Sequence, residues 1–441
     1  MPYRTPDSKF HVVRLWLKPG MGVKRHVVLL LFATLLIIFG FILFFLWLST
    51  YNNKLFAEPL KLILHSDSWK KYGSIVSFLI FVLGLFFSSI SIARLNKSLL
   101  SHWKPTTHNP AKVISSRLNL AKGTKIVALG GGTGLSNLLR GLRKYSSNIT
   151  AVVAVSDDGG SSGRLRTAFD MPAPGDISDC LAALSDHESQ VSALMQYRFK
   201  RGDELKGHTF GNLLITTLTE VEGDFEEAIN SMNSLLALTG KVYPATPEPV
   251  VLKAVKETGD EITGESKFAK KPGAVREVRL EPSQPKATKE VLAAIFDADL
   301  IILGPGSLFT STIPPLLVPA IAEAIVKSNA ELIYIANIMT ELGETDGMSV
   351  FEHVRAIYNH LGRYPDRLIV NSSPVDSFRL EQYQKESAEV SIFDINDFKD
   401  LSIKITELPL LSHGQLAQHD SDKLAEWLAS HAKHINTNKK G

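Results

Sequence analysis

Lys125–Arg140 reads KIVALGGGTGLSNLLR, which lays out a buried strand, a tight turn and a helix start in one stretch. The apolar run Ile126–Leu129 ends in Gly130-Gly131-Gly132-Thr133-Gly134. Leucines then recur at 135, 138, 139 and 142, the spacing of one helix face. Glycines permit positive φ and let the backbone approach a ligand. The helix start adds unpaired N–H groups and the positive end of its dipole, so the unit is suited to a phosphate.

The same punctuation recurs downstream. Thr150–Val155 (TAVVAV) runs into Ser156–Gly163 (SDDGGSSG), and Pro172–Asp176 (PAPGD) precedes an apolar helical stretch, Ile177–Leu184. Gly207–Asn212 (GHTFGN) opens a helix over Leu213–Glu220. Leu300–Leu303 is a buried strand followed by Gly304-Pro305-Gly306-Ser307 and a helical region ending near Ser328. Later strands are expected at Glu331–Ile338, Arg367–Asn371 and Leu401–Ile405, and helices at Val354–Leu361 and Lys423–His431. Strands alternating with helices predict an α/β fold, a Rossmann-like, mostly parallel sheet covered by helices. Between 241 and 286 the short runs Val250–Val255, Glu261–Thr263 and Ala274–Leu280 alternate with turn residues, which predicts a small antiparallel β insertion.

Upstream, Val27–Leu48 and Tyr72–Ala93 are uncharged, apolar, and each long enough to cross a bilayer of about 30 Å. Trp47, Tyr51, Trp69 and Tyr72 mark their ends, as at membrane interfaces. The first run starts too far into the chain, and is too long, for a cleaved signal peptide. An N-terminal two-helix transmembrane hairpin is therefore expected. The organisation reads as a basic tail (1–25), a first transmembrane helix (26–50), an external loop (51–71), a second helix (72–93), a basic linker (94–123), an α/β domain (124–432) and a tail (433–441). Basic residues crowd the tail and the linker, so both ends, and the α/β domain with them, are expected on the cytoplasmic side of the cell's inner membrane.

Charge supports this division. Residues 1–124 hold 16 Lys and Arg against 3 Asp and Glu, whereas residues 125–441 hold 32 against 42. An acidic domain is a poor match for a nucleic-acid backbone, and the basic segment flanks apolar spans instead. The single cysteine, Cys180, excludes a disulfide framework and a cysteine-based zinc site, and reads as a small buried side chain.

The candidate site residues lie in the loops that follow strands. A phosphate cradle is expected from Gly130, Gly131, Gly132, Thr133, Gly134 and Leu135, with Gly304, Gly306 and Ser307 as a second arm. The loop lacks the third glycine of a dinucleotide fingerprint, since Leu135 or Asn137 stands there, and no Gly-Lys-Ser/Thr follows. A Walker-type hydrolase and an NAD(P) oxidoreductase are thereby disfavoured. Asp157 and Asp158, followed by Gly159, Gly160 and Ser161, bind a ribose, hold a hydrated Mg²⁺, or form an Asx-turn. Asp176 is either a further metal carboxylate or a helix cap. His208, Asn212, Asn337 and Thr340 complete the candidate ligand-binding set.

With these loops in hand, the domain resembles the gluconeogenesis factor (YvcK-like) family, related to the CofD-like 2-phospho-L-lactate transferases. The matching segments are ALGGGTGL (Ala128–Leu135), SDDGGSSGRLR (Ser156–Arg166), PAPGDI (Pro172–Ile177), GHTFGNLL (Gly207–Leu214), GESK (Gly264–Lys267), GPGSLFTS (Gly304–Ser311) and NIMTELGETDGMSV (Asn337–Val350). The resemblance implies a regulator that binds a nucleotide sugar such as UDP-N-acetylglucosamine and acts on cell-wall synthesis, cell shape and gluconeogenic growth. Cell-wall synthesis proteins are the implied protein partners, and a homo-oligomer is expected. The alternative it implies is a Mg²⁺-dependent transferase using a nucleotide-activated donor, with Asp157, Asp158 and Asp176 at the metal. The SDDGGSSG form looks like the YvcK-like branch, and the transmembrane hairpin departs from the compact soluble members.

Overall fold

The computed structural model describes residues 23–49, 67–103, 110–271, 273–385 and 387–438. Most of the basic tail and of the external loop, and the last residues of the C-terminal tail, lie outside them. The chain forms two compact units, Met1–Ser116 and Arg117–Gly441.

The first unit contains α1 (Val23–Ser49) and α2 (Asp67–Trp103), which pack as an antiparallel pair. Ser91 Oγ donates to the His26 carbonyl at one end, and Trp47 Nε1 donates to the Lys70 carbonyl at the other. Gly40 and Gly84 bring the two backbones together, because a Cβ on either would overlap the facing helix. Leu31, Leu35, Phe41 and Phe45 of α1, and Phe78, Leu79 and Phe86 of α2, remain exposed. Both helices are long and apolar enough to cross a membrane.

The linker departs from its expected course. Instead of a structureless connection it contains a helix, α3 (Pro110–Ala121), whose first residue is Pro110, a position where its fixed φ and missing N–H cost nothing. The α/β unit begins within this helix: Ser147 N donates to the Leu120 carbonyl, and Asn148 Nδ2 to those of Ala121 and Gly123.

The second unit continues with β1 (Ile126–Gly130), α4 (Gly132–Leu142), β2 (Ile149–Val153), α5 (Gly160–Phe169), α6 (Gly175–Leu184), α7 (Glu188–Met195), α8 (Phe210–Glu222) and α9 (Phe225–Leu235). After β3 (Lys241–Pro244) come β4 (Val251–Lys256), β5 (Glu261–Thr263), β6 (Val275–Glu281), α10 (Lys289–Asp297), β7 (Leu300–Leu303), α11 (Pro319–Lys327) and β8 (Glu331–Ile335). The chain ends with α12 (Val350–Leu361), β9 (Arg367–Asn371), α13 (Ser377–Lys385), β10 (Lys404–Leu408) and α14 (Ser421–Asn438).

Seven strands form one parallel sheet in the order β10-β9-β8-β7-β1-β2-β3. Its central strands are buried along their whole length, as expected when helices cover both faces. Strand order reverses between β1 and its neighbour β7, so the loops after these two strands diverge and leave a crevice at their carboxyl ends. The antiparallel insertion is present as β5-β4-β6. It starts later than residue 241, however, because β3 pairs with β2 at the edge of the main sheet. The last strand also sits further along than Leu401–Ile405: β10 is an edge strand with half-exposed side chains, so no apolar run marks it.

Candidate functional site

A cleft of about 310 Å³ opens at the β1/β7 crevice. One wall is Gly131, Gly132, Thr133 and Gly134 with Asn137, at the N-terminus of α4. The second is Pro305, Gly306, Ser307 and Ser311, beyond β7. The third is Asn337–Glu341, beyond β8. The last comes from Tyr383, Ala417, Gln418, His419 and Ser421, near the end of the chain. The candidates Gly131–Gly134, Gly306, Ser307, Asn337 and Thr340 are thus brought together. Asn137, Glu341, Tyr383 and His419 were missed from sequence; Asn137 carried a signal there, as the residue standing in a fingerprint position, and Glu341 lay within the segment Asn337–Val350.

Gly132 has φ +58°, and a Cβ built on it meets no protein atom within 4 Å, so this face of the loop is open. No lysine or arginine is among the described residues that line the cleft. An anion here is met by backbone N–H groups, hydroxyls and the α4 dipole instead. Two buried acceptors wait at the other side. Among the described residues, Asn337 Oδ1 and His419 Nε2 have no hydrogen-bond partner. His419 is hydrogen-bonded to the Ala336 carbonyl, and burial lowers its pKa to about 4, so its ring is neutral and Nε2 is a bare lone pair. Such atoms are costly to bury unless a ligand brings donors to them.

Behind Gly131 lies a group of carboxyls. Asp176 accepts from the Gly132 backbone, and a Cβ at Gly131 would overlap its Oδ2. Burial, then the nearby Asp157, raise its pKa to about 7. Asp157 is raised chiefly by burial while accepting from Gly159 N at 2.8 Å, and Glu265 is raised well above its usual range by burial and then by Asp157 and Asp176. The donor set is all oxygen and suits a hard divalent ion such as Mg²⁺, which takes one or two carboxylates and completes its shell with water and phosphate. No group of three His, Cys, Asp or Glu is arranged as a metal shell among the described residues.

Other candidates take structural positions. Asp158 caps the insertion: its Oδ1 accepts from Ser266 N at 2.9 Å, and Gly264 packs on its Oδ2. Leu135 is fully buried in the core, so its side chain cannot reach a ligand. Gly130 ends β1, and Gly304 (φ +77°) turns the chain out of β7. Ser161 Oγ bonds His208 Nδ1 at 3.0 Å, and Asn212 Nδ2 donates to Ser161 Oγ and Ser162 Oγ. This buried knot joins the N-terminus of α5, where Gly159 and Gly160 lie, to that of α8, and it does not line the cleft.

The wall of Asn337–Glu341 continues into a second carboxyl pair. Ser307 Oγ is 2.5 Å from Glu341 Oε2. Glu344, buried behind it, accepts from Thr310 Oγ1 at 2.9 Å and Phe309 N at 3.3 Å. Burial and the proximity of Glu341 push Glu344 up to about 8, and burial also raises Glu341.

The family profile described as 2-phospho-L-lactate transferase CofD matches residues 126–411. A relative in Deinococcus radiodurans is 44% identical over 430 residues, covering 96% of this chain and 90% of its own. The gluconeogenesis factor of Bacillus subtilis is 43% identical over 306 residues, 69% of this chain and 96% of its own length. A crystal structure of a Bacillus halodurans protein superposes with a TM-score of 0.68 at 42% identity, covering 70% of this chain and 99% of that one. Some relatives therefore match nearly the whole chain, and others only a part the size of its α/β unit.

Proposed function

This chain belongs to the gluconeogenesis factor family, whose members share the CofD-like fold, and from that premise we propose that it binds a nucleotide-linked sugar in the β1/β7 cleft. UDP-N-acetylglucosamine is the type of ligand, and regulation of cell shape, cell-wall synthesis and carbon metabolism is the output. In this reading α1 and α2 hold the protein in the inner membrane with the α/β unit in the cytoplasm. Protein partners are those of wall synthesis, and the protein acts as a homo-oligomer.

The observation that carries the reading is the pairing, in one cleft, of a glycine-rich helix N-terminus with the unpartnered acceptors Asn337 Oδ1 and His419 Nε2. The first suits a diphosphate. The second calls for N–H or O–H groups, which a uracil N3–H, ribose and sugar hydroxyls supply. Ser307 and Thr340 add hydroxyls to the same walls.

A second reading, a Mg²⁺-dependent transferase with a nucleotide-activated donor, is favoured by the carboxyl group behind Gly131. Asp157 and Asp176 would hold the ion, which would neutralise phosphate charge as a Lewis acid. Asp158 has a lesser claim, being tied to Ser266.

Calorimetric titration of the purified full chain with UDP-N-acetylglucosamine, GDP and NADP⁺, with and without Mg²⁺, tests both. Saturable binding of the UDP-sugar, recovered intact by mass spectrometry, is the expected result. Turnover, or a preference for GDP, overturns the regulator in favour of the transferase. Absence of binding by the folded protein overturns both.

A further inference from the structure

We propose that Glu341 decides whether Ser307 can grip the ligand: the hydroxyl is released to a ligand phosphate only when Glu341 takes up a proton, so binding in the cleft is proton-coupled. The inference rests on the reading of the cleft as an anion site and goes beyond it, to what sets its affinity.

The argument starts from hydrogen-bond inventory. A serine hydroxyl has one proton to donate. With Glu341 ionised, that proton lies between Ser307 Oγ and Glu341 Oε2, which are 2.5 Å apart. The oxygen then offers only lone pairs to the cleft, and an anion facing them is repelled. If Glu341 instead binds a solvent proton on Oε2, its O–H donates to Ser307 Oγ, and the serine proton turns to the phosphate. The chain becomes Glu341 carboxylic acid to Ser307 to phosphate. No bond other than O–H is made or broken.

The surroundings favour that exchange. Both Ser307 and Glu341 line the cleft. Glu344, on the same loop, stands behind Glu341, and burial raises both carboxyls. Of the two, Glu344 keeps its proton in the free protein, held up by burial and by the charge of Glu341, which leaves Glu341, hydrogen-bonded through its side chain to Ser307, as the carboxylate that takes up the next proton. From β8, Tyr334 faces Glu341 as a neutral phenol. From β4, the Lys256 ammonium lies near Glu344, as does Glu265 from the insertion. Across the cleft His419 is neutral, and beyond the glycine loop Asp176 is a further acid able to take up a proton when an anion binds.

The test is isothermal titration of the full chain with UDP-N-acetylglucosamine, whose diphosphate carries no group titrating near neutrality, in buffers of different ionisation enthalpy. Uptake of up to about one proton at Glu341 is expected, with affinity falling as pH rises. Since Asp176, behind the glycine loop, is a second acid able to take up a proton, Glu341→Gln is the decisive variant. Its amide N–H₂ can donate permanently to Ser307 Oγ, so it should lose part of the uptake and bind several-fold tighter than the wild type at the alkaline end. Ser307→Ala should lose the same share of uptake, with weaker binding throughout, and serves if Glu341→Gln does not fold. Full wild-type uptake in both variants, or weaker binding by folded Glu341→Gln across the range, overturns the proposal. Binding with no uptake in the wild type overturns it alone; no binding at all overturns the ligand reading with it.

Discussion

Gly134 lies flat against the backbone of Pro305: a Cβ on residue 134 would stand 2.8 Å from the Pro305 carbonyl carbon and overlap its oxygen. The contact ties the glycine loop after β1 to the loop after β7, and so sets the width of the cleft between them. Gly132, two residues earlier, has open space where Gly134 has none. One short run thus contains a glycine required by packing and another that faces the ligand.

That difference yields paired outcomes. Gly134→Ala should force the two loops apart, lowering both Tm and ligand affinity; overpacking of this kind costs about 1–3 kcal/mol. Gly132→Asn should leave stability within about 1 kcal/mol of the wild type, because asparagine tolerates positive φ, while its side chain fills the cleft and abolishes binding. Scanning calorimetry with UDP-N-acetylglucosamine titration checks both. A Gly132→Asn protein that binds normally would remove the cradle from the site.

The carboxyls behind the loop give a pH dependence of stability. The folded-state pKa of Asp176 is raised to about 7, well above an unfolded carboxyl. A raised acid is stabilising when protonated, so its contribution is present below the unfolded pKa of about 4 and is lost as pH rises through about 7. Glu344, raised to about 8, acts in the same direction over a slightly wider window. Asp176→Asn should therefore leave Tm unchanged near pH 4 and raise it by several degrees at pH 8. Thermal melts across that range are the check; a Tm gain confined to acid pH would reverse the sign and refute the assignment.

What could be read in the sequence follows from where the signals are local. The strands β1 and β7 are continuous apolar runs closed by glycine, so both glycine-rich loops and the parallel class were legible. Strand β3 was not read as part of the sheet, because it is four residues long and ends in Pro244, which is tolerated at an edge. The last wall of the cleft was out of reach. Tyr383 and His419 come from distant segments in unremarkable contexts, and only packing places them opposite the glycine loop. Glu341 stood inside a recognised motif, yet its meaning depends on the loop after β8 meeting Ser307 from the loop after β7. For Asp158 the sequence left its readings open, since an acid beside glycines looks the same whether it caps a turn or faces a ligand.

Lys256 supplies the last test, on the support of the cleft rather than its lining. Its side chain is fully buried, and the ammonium donates to the carbonyls of Phe268, Lys271, Gly273 and Gly343. Three of these belong to the insertion and the fourth to the loop that carries Glu341 and Glu344. A buried cation surrounded by carbonyl oxygens holds the loop through charge-assisted bonds, and Asp346 Oδ2 adds to the clasp by accepting from Gly273 N and Gly343 N. Lys256→Met keeps the apolar stem but leaves four buried carbonyls without this donor, a loss of about 2–4 kcal/mol. Tm should fall by several degrees, and affinity for UDP-N-acetylglucosamine should fall with it even where the protein remains folded, because the wall bearing Glu341 is no longer fixed. A variant that loses stability but binds as the wild type would show that the insertion steadies the fold without shaping the cleft.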